Sequence, residues 1–268
     1  MDAIRVTVRR GDVVEAVHHV HVRATSGQAY GDDVNCFLRS SLKPIQAIPL
    51  AEAYDDLPDD ELAIACASHQ AEPAQLAAVR KLLARANAGI DDLENGTQPG
   101  RPDGKLGHNC SGKHAGMLAA CRANDWPLHP YRDPSHPLQQ RIAELVGEAD
   151  VAIDGCGVPT YAQPLTCMGA LFATTPTRIA DAMRAHPELV GGENSDDTEL
   201  MRAMPGWFAK GGAEGLFCAS DGDHAWVLKV EDGSSRALRP ALGQVFGIDA
   251  FREVELRNSR GEIVGSIA

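Results

Sequence analysis

Much that would assign this chain at a glance is missing. No apolar run is long enough to cross a bilayer; the longest clear one, Leu165–Ala173, falls far short of the roughly 20 residues needed. The start, Met1-Asp2-Ala3-Ile4-Arg5, carries no apolar core of a secretory signal, so a cytoplasmic chain with reduced thiols is expected. The seven cysteines are scattered and include no C-x-x-C pair, which argues against a disulfide framework and against a generic zinc motif. A basic surplus is also absent. At a net charge of −12 the surface suits neither nucleic acid nor an anionic membrane, and neither is expected as a partner. What remains is ordinary globular composition, 44% hydrophobic and 23% charged. A length of 268 residues can bury a full core as one large domain or two small ones.

Both ends of the chain read as strands. Ile4–Arg9 alternates, Gly11-Asp12 signals a turn, and Val13–Val22 continues with β-branched residues. Ala225–Val230 is a strand that stops at Glu231-Asp232-Gly233, with Ser235–Leu238 expected to return. Val254–Arg257 and Ile263-Val264 form a last hairpin around Arg260-Gly261. The middle reads as helices over Pro44–Ala53, Pro73–Asn87, Lys113–Arg122, Pro137–Gly147 and Thr177–Ala185. The pattern predicts an α/β fold in one domain. One antiparallel sheet is drawn from about residues 1–30 and 205–268, and a helical region over about 36–204 packs on it.

Three segments could carry chemistry. Arg39-Ser40-Ser41-Leu42-Lys43-Pro44 holds an S-x-x-K spacing, which places a hydroxyl and an amine side by side on one helical turn. A serine is a poor nucleophile until a neighbour takes its proton, and an uncharged lysine can do so. With 12 Ser and 6 Lys in the chain, chance alone supplies about 0.3 such matches, so the motif by itself equally describes a helix start with an exposed lysine. Pro44, tolerated in a first helical turn, puts that start near Ser40. Gly107–His114 nearly fits a phosphate loop, but His114 stands where a hydroxyl should hold magnesium and a Gly/Pro loop precedes it instead of a strand. The same segment, with Cys110 and Lys113, and a second one, Asp154-Gly155-Cys156-Gly157, also read as two small buried thiols. Ser68 reads as a helix cap. Lys229, among the apolar Val227, Leu228 and Val230, faces either solvent at a sheet edge or a pocket.

Taken in order, these pieces resemble the L-asparaginase II family, the rhizobial-type asparaginases. The matching stretches are Arg39–Pro44, Cys66-Ala67-Ser68-His69, Asn109–Met117, Asp154–Pro159, Ala182–Pro187 before the glycines, and Leu228–Gly233, spread over roughly residues 10 to 240. The resemblance implies a serine-β-lactamase-like fold, hydrolysis of L-asparagine to L-aspartate and ammonia, and a homodimer. Carried over residue by residue, it makes Ser40–Lys43 the first serine–lysine pair, and Ser68 and Lys229 the second. Cys110, Lys113 and Cys156 become zinc ligands, with Arg39, Asp154 and His114 beside them. Two lysines in one pocket repel, and burial disfavours both charges, so at least one amine is expected to be neutral and able to act as base. Ser40 is the favoured nucleophile, at a helix start whose dipole would help an alkoxide-like transition state. The alternatives are a serine amidase or peptidase of the same fold on another small amide, and a non-catalytic protein that holds a metal or an amino acid.

Overall fold

The computed structural model describes all 268 residues. Eleven strands form two antiparallel sheets. The N-terminal strands are β1 (Ile4–Arg10), β2 (Val13–Ala24), β3 (Ala29–Tyr30) and β4 (Asn35–Phe37); β5 (Asp150–Ile153) and β6 (Pro159–Pro164) lie in the middle. The C-terminal strands are β7 (Phe208–Gly211), β8 (Leu216–Ser220), β9 (Ala225–Val230), β10 (Val254–Arg257) and β11 (Ile263–Ile267). The large sheet runs β10-β11-β1-β2-β9-β8-β7, with β3 added to β2, so the two chain ends do build it together. The alternation of β1 explains its seating: Ile4, Val6 and Val8 are buried while Arg5 and Arg9 face water. Gly11 makes the tight turn to β2 at φ +54°, a region glycine enters without strain.

Helices pack on the large sheet, Leu165–Ala173 against β2 and β9 and Leu238–Phe246 against β1. Pro73–Arg85, Pro137–Val146 and Thr177–Ala185 begin where the sequence places them. Ser111–Ala123 crosses the helix Asp59–Ala65 closely enough that a Cβ on Gly112 would lie 2.2 Å from the Ile64 carbonyl oxygen. One continuous core of 67 buried apolar residues joins helices and sheet. No helix is long and apolar enough to cross a membrane.

Four expectations are corrected. Ser235–Leu238 does not return as a strand; a 3-10 turn over Ser235–Ala237 leads into the helix Leu238–Phe246. Pro240 fits its first turn, and Gly247, left-handed at φ +71°, ends it. The stretch Pro44–Ala53 is not one helix but two, Lys43–Gln46 and Ile48–Ala53. Pro49 has no amide hydrogen to return to Ile45, which interrupts the ladder. Ser40 itself lies in a 3-10 turn, Arg39–Leu42, so no long helix dipole points at it. The helical middle also contains strand: β4, β6 and β5 form a second sheet in that order.

Candidate active site

The 3-10 turn Arg39–Leu42 carries Ser40 and hands on directly to Lys43. Ser41, its buried neighbour, donates to the carbonyl of Lys210 at 2.8 Å and fastens the turn to β7. On the opposite wall, the loop after the helix Asp59–Ala65 carries Ser68. Two backbone bonds hold that loop, Ser68 N–H to Val190 O at 2.9 Å and His69 N–H to Asn109 O at 3.1 Å. His69 finishes the clamp: Nδ1 accepts from the Ala71 amide, and Nε2 lies 2.8 Å from Ser111 Oγ. Burial, the largest cause, pushes the His69 pKa down to about 3, so the ring is neutral and structural.

Ser40 and Ser68 line one cleft of about 400 Å3, together with Asn109, Asp197 and Lys210. Lys43 is 1% exposed, and its Nζ lies 3.0 Å from Ser68 Oγ while also donating to the Ala67 carbonyl. Burial first, then the Lys113 and Lys210 cations, lower the Lys43 pKa, against the pull of the Cys110 and Cys156 sulfurs. Ser40 Oγ makes no hydrogen bond within the chain, so the hydroxyl in contact with the amine is Ser68, not the one three residues before it.

A smaller cavity of about 260 Å3 adjoins the cleft, and Ser40 and Asn109 line both. Its walls hold Cys110, Cys156, Asp154 and Arg39. Lys113 Nζ lies 3.0 Å from Cys156 Sγ. Contact with Cys156, outweighing burial and helped by Lys43 and Lys113, holds the Cys110 thiol well below its ordinary range. Lys113 moves the other way: burial lowers it, but the two sulfurs outweigh burial and raise it. Arg39 Nε donates to Asp154 Oδ1 at 2.6 Å. His114 Nδ1 meets the Tyr131 hydroxyl at 2.7 Å, and its buried Nε2 has no hydrogen-bond partner. No three or more His, Cys, Asp or Glu side chains gather as a metal cluster. The donor set that does gather is two thiols and one amine.

Lys229 does not join this cleft. It is opposite His21 on β2 and Leu216 on β8, and its Nζ folds back onto the carbonyls of Glu214 and Val230. It lines a separate cavity that shares only Arg39 and Ala213 with the thiol side of the site. The strand lysine that reaches the Ser40–Ser68 cleft is Lys210 on β7, 1% exposed and ion-paired to the buried Asp197. Asp197 also accepts from the Gly211 amide at 2.6 Å. Sequence reading passed over Lys210, although the signal that drew attention to Lys229, a lysine beside apolar strand residues, is present there too in Phe208-Ala209-Lys210.

With this geometry in place, one comparison is decisive: the L-asparaginase II profile matches residues 6–267. The chain belongs to the L-asparaginase II family. The family is one of asparaginase-type amidohydrolases acting on small-molecule substrates. No curated protein matches the chain.

Proposed function

We propose that this L-asparaginase II member hydrolyses L-asparagine to L-aspartate and ammonia by serine–lysine chemistry on a serine-β-lactamase-like fold. The observation that carries the proposal is the 3.0 Å contact of Lys43 Nζ with Ser68 Oγ in a cleft that Ser40 also lines. Ser40, whose hydroxyl is free, attacks the side-chain amide carbon. Its proton passes through Ser68 to the lone pair of neutral Lys43. The tetrahedral adduct collapses, the C–N bond breaks, and Lys43 returns the proton to the leaving nitrogen as ammonia departs. Water then cleaves the acyl ester by the same proton route in reverse. Lys210 takes the role first given to Lys229: a second cation in the cleft that disfavours charge on Lys43. Arg39 and Asp154 act as a joined support on the thiol side.

Cys110, Cys156 and Lys113 would hold a zinc ion, and the chemistry fits, since two soft sulfurs and one nitrogen donor, a combination borderline zinc accepts, are drawn together around a Cys110 thiol held low. Bound there, zinc would supply Lewis acidity beside the cleft. Lys113 must shed a proton to become a ligand, so zinc retention should fall with acidity. His114 and Tyr131 steady this side from behind. A homodimer completes the proposal.

An amide-substrate panel read by ammonia release, with and without a chelator, tests it. L-asparagine should be the preferred substrate, and Ser40→Ala should abolish release. Asparagine left intact by the folded wild-type protein would favour a binder; preference for another amide would favour a different amidase.

A further inference from the structure

The cavity that Lys229 lines has no part in the reaction proposed above. Its volume is about 380 Å3. One wall is a row across the small sheet, where Phe37, Ala162 and Asp150 stand in register on β4, β6 and β5. Residues directly opposite in an antiparallel sheet point to the same face, so this row offers an apolar strip ending in a carboxylate. The facing wall is the Ala213-Glu214 loop and Lys229. Neither the Lys229 ammonium nor the Asp150 carboxylate has an ion-pair partner, and they do not pair with each other. Lys229 is steadied only by neutral carbonyls. Lys229 and Asp150, two opposite charges that form no ion pair, thus line one cavity with Phe37 and Ala162, beside Glu214 and the Asp154-paired Arg39.

We propose that this cavity is a binding site for a small zwitterion with an apolar body, a free amino acid with an apolar side chain. The ligand carboxylate meets Lys229, its ammonium meets Asp150, and its side chain lies on Phe37 and Ala162. Desolvating two unpaired charges on a single ligand that neutralises both makes the zwitterion better than either half. Arg39 forms part of the wall and also grips Asp154, so the site abuts the thiol side of the reaction cavity. The inference does not depend on the serine–lysine reading.

Calorimetric titration of the full chain tests it with three probes: L-phenylalanine, its N-acetyl derivative without the ammonium, and its amide without the carboxylate. Free phenylalanine should bind saturably, and each derivative should bind about tenfold or more weakly. Lys229→Met should remove the discrimination against the amide only, and Asp150→Asn the discrimination against the N-acetyl form only. Ala162→Trp, which fills the cavity while both charged residues are retained, should abolish binding. Equal affinity for all three probes, or no saturable binding, overturns the proposal. So does a discrimination pattern untouched by all three variants, because the amino acid would then sit in the Ser40–Ser68 cleft.

Discussion

Lys210 and Lys229 are two lysines on the same sheet with opposite fates. Both follow apolar strand residues, and two strands place them within one small region. Lys210 is buried against a carboxylate in the cleft of the two serines. Lys229 is partly exposed, rests on carbonyls, and faces a different cavity. The difference lies in what the neighbouring segments offer. The helix Asp196–Ala203 delivers Asp197 to β7, and Ser41 ties that strand to the turn that carries Ser40. Nothing acidic reaches the Lys229 ammonium. Local sequence marks a lysine as unusual in a strand, but only the partner brought by a distant segment decides its work.

The largest expected effect is at the base: Lys43→Ala should cut ammonia release by about 10²–10⁴-fold in a protein that still folds. Near-normal turnover would end the assignment of base to Lys43. Next comes the strand pair. Lys210→Met strands Asp197 in the interior and should cost about 3–5 kcal/mol in denaturant unfolding, with turnover falling as well. Lys229→Met should cost no more than about 0.5 kcal/mol. The reverse ranking would restore Lys229 to the centre. On the thiol side, Cys156→Ser should lower zinc content after dialysis; an unchanged metal content would remove Cys156 from the nest.

A separate effect concerns pH. His69 has its folded pKa lowered from 6.5 to about 3, so the unfolded chain takes up the proton first. Its contribution to stability is whole above about pH 6.5 and is lost as pH falls toward about 3. Unfolding curves across that window should show the loss, and His69→Gln should flatten it. A wild-type curve as flat as the variant's would show that His69 charges freely in the fold.

The motif Ser40–Lys43, Ser68 and the cysteine segments were legible because each needs only a few adjacent residues. Their convergence was not, since the contact that matters crosses from Lys43 to Ser68. The large sheet was legible from alternation at the two ends. The small one was not: β4 is three residues long and β6 begins and ends in proline, which argues against a strand. The helix Leu238–Phe246 was hidden by the turn residues before it, and Asp197 by an acidic run that reads as solvated surface.

The close approach at Gly112 ties two chemistries to a single joint. The helix that carries Lys113, with Cys110 at its start, lies with its backbone directly against the last turns of the helix that leads to Ser68. A methyl group there would shift sulfur and hydroxyl donors in the same stroke, so neither half of the pocket is free to drift, or to be re-engineered, without dragging the other.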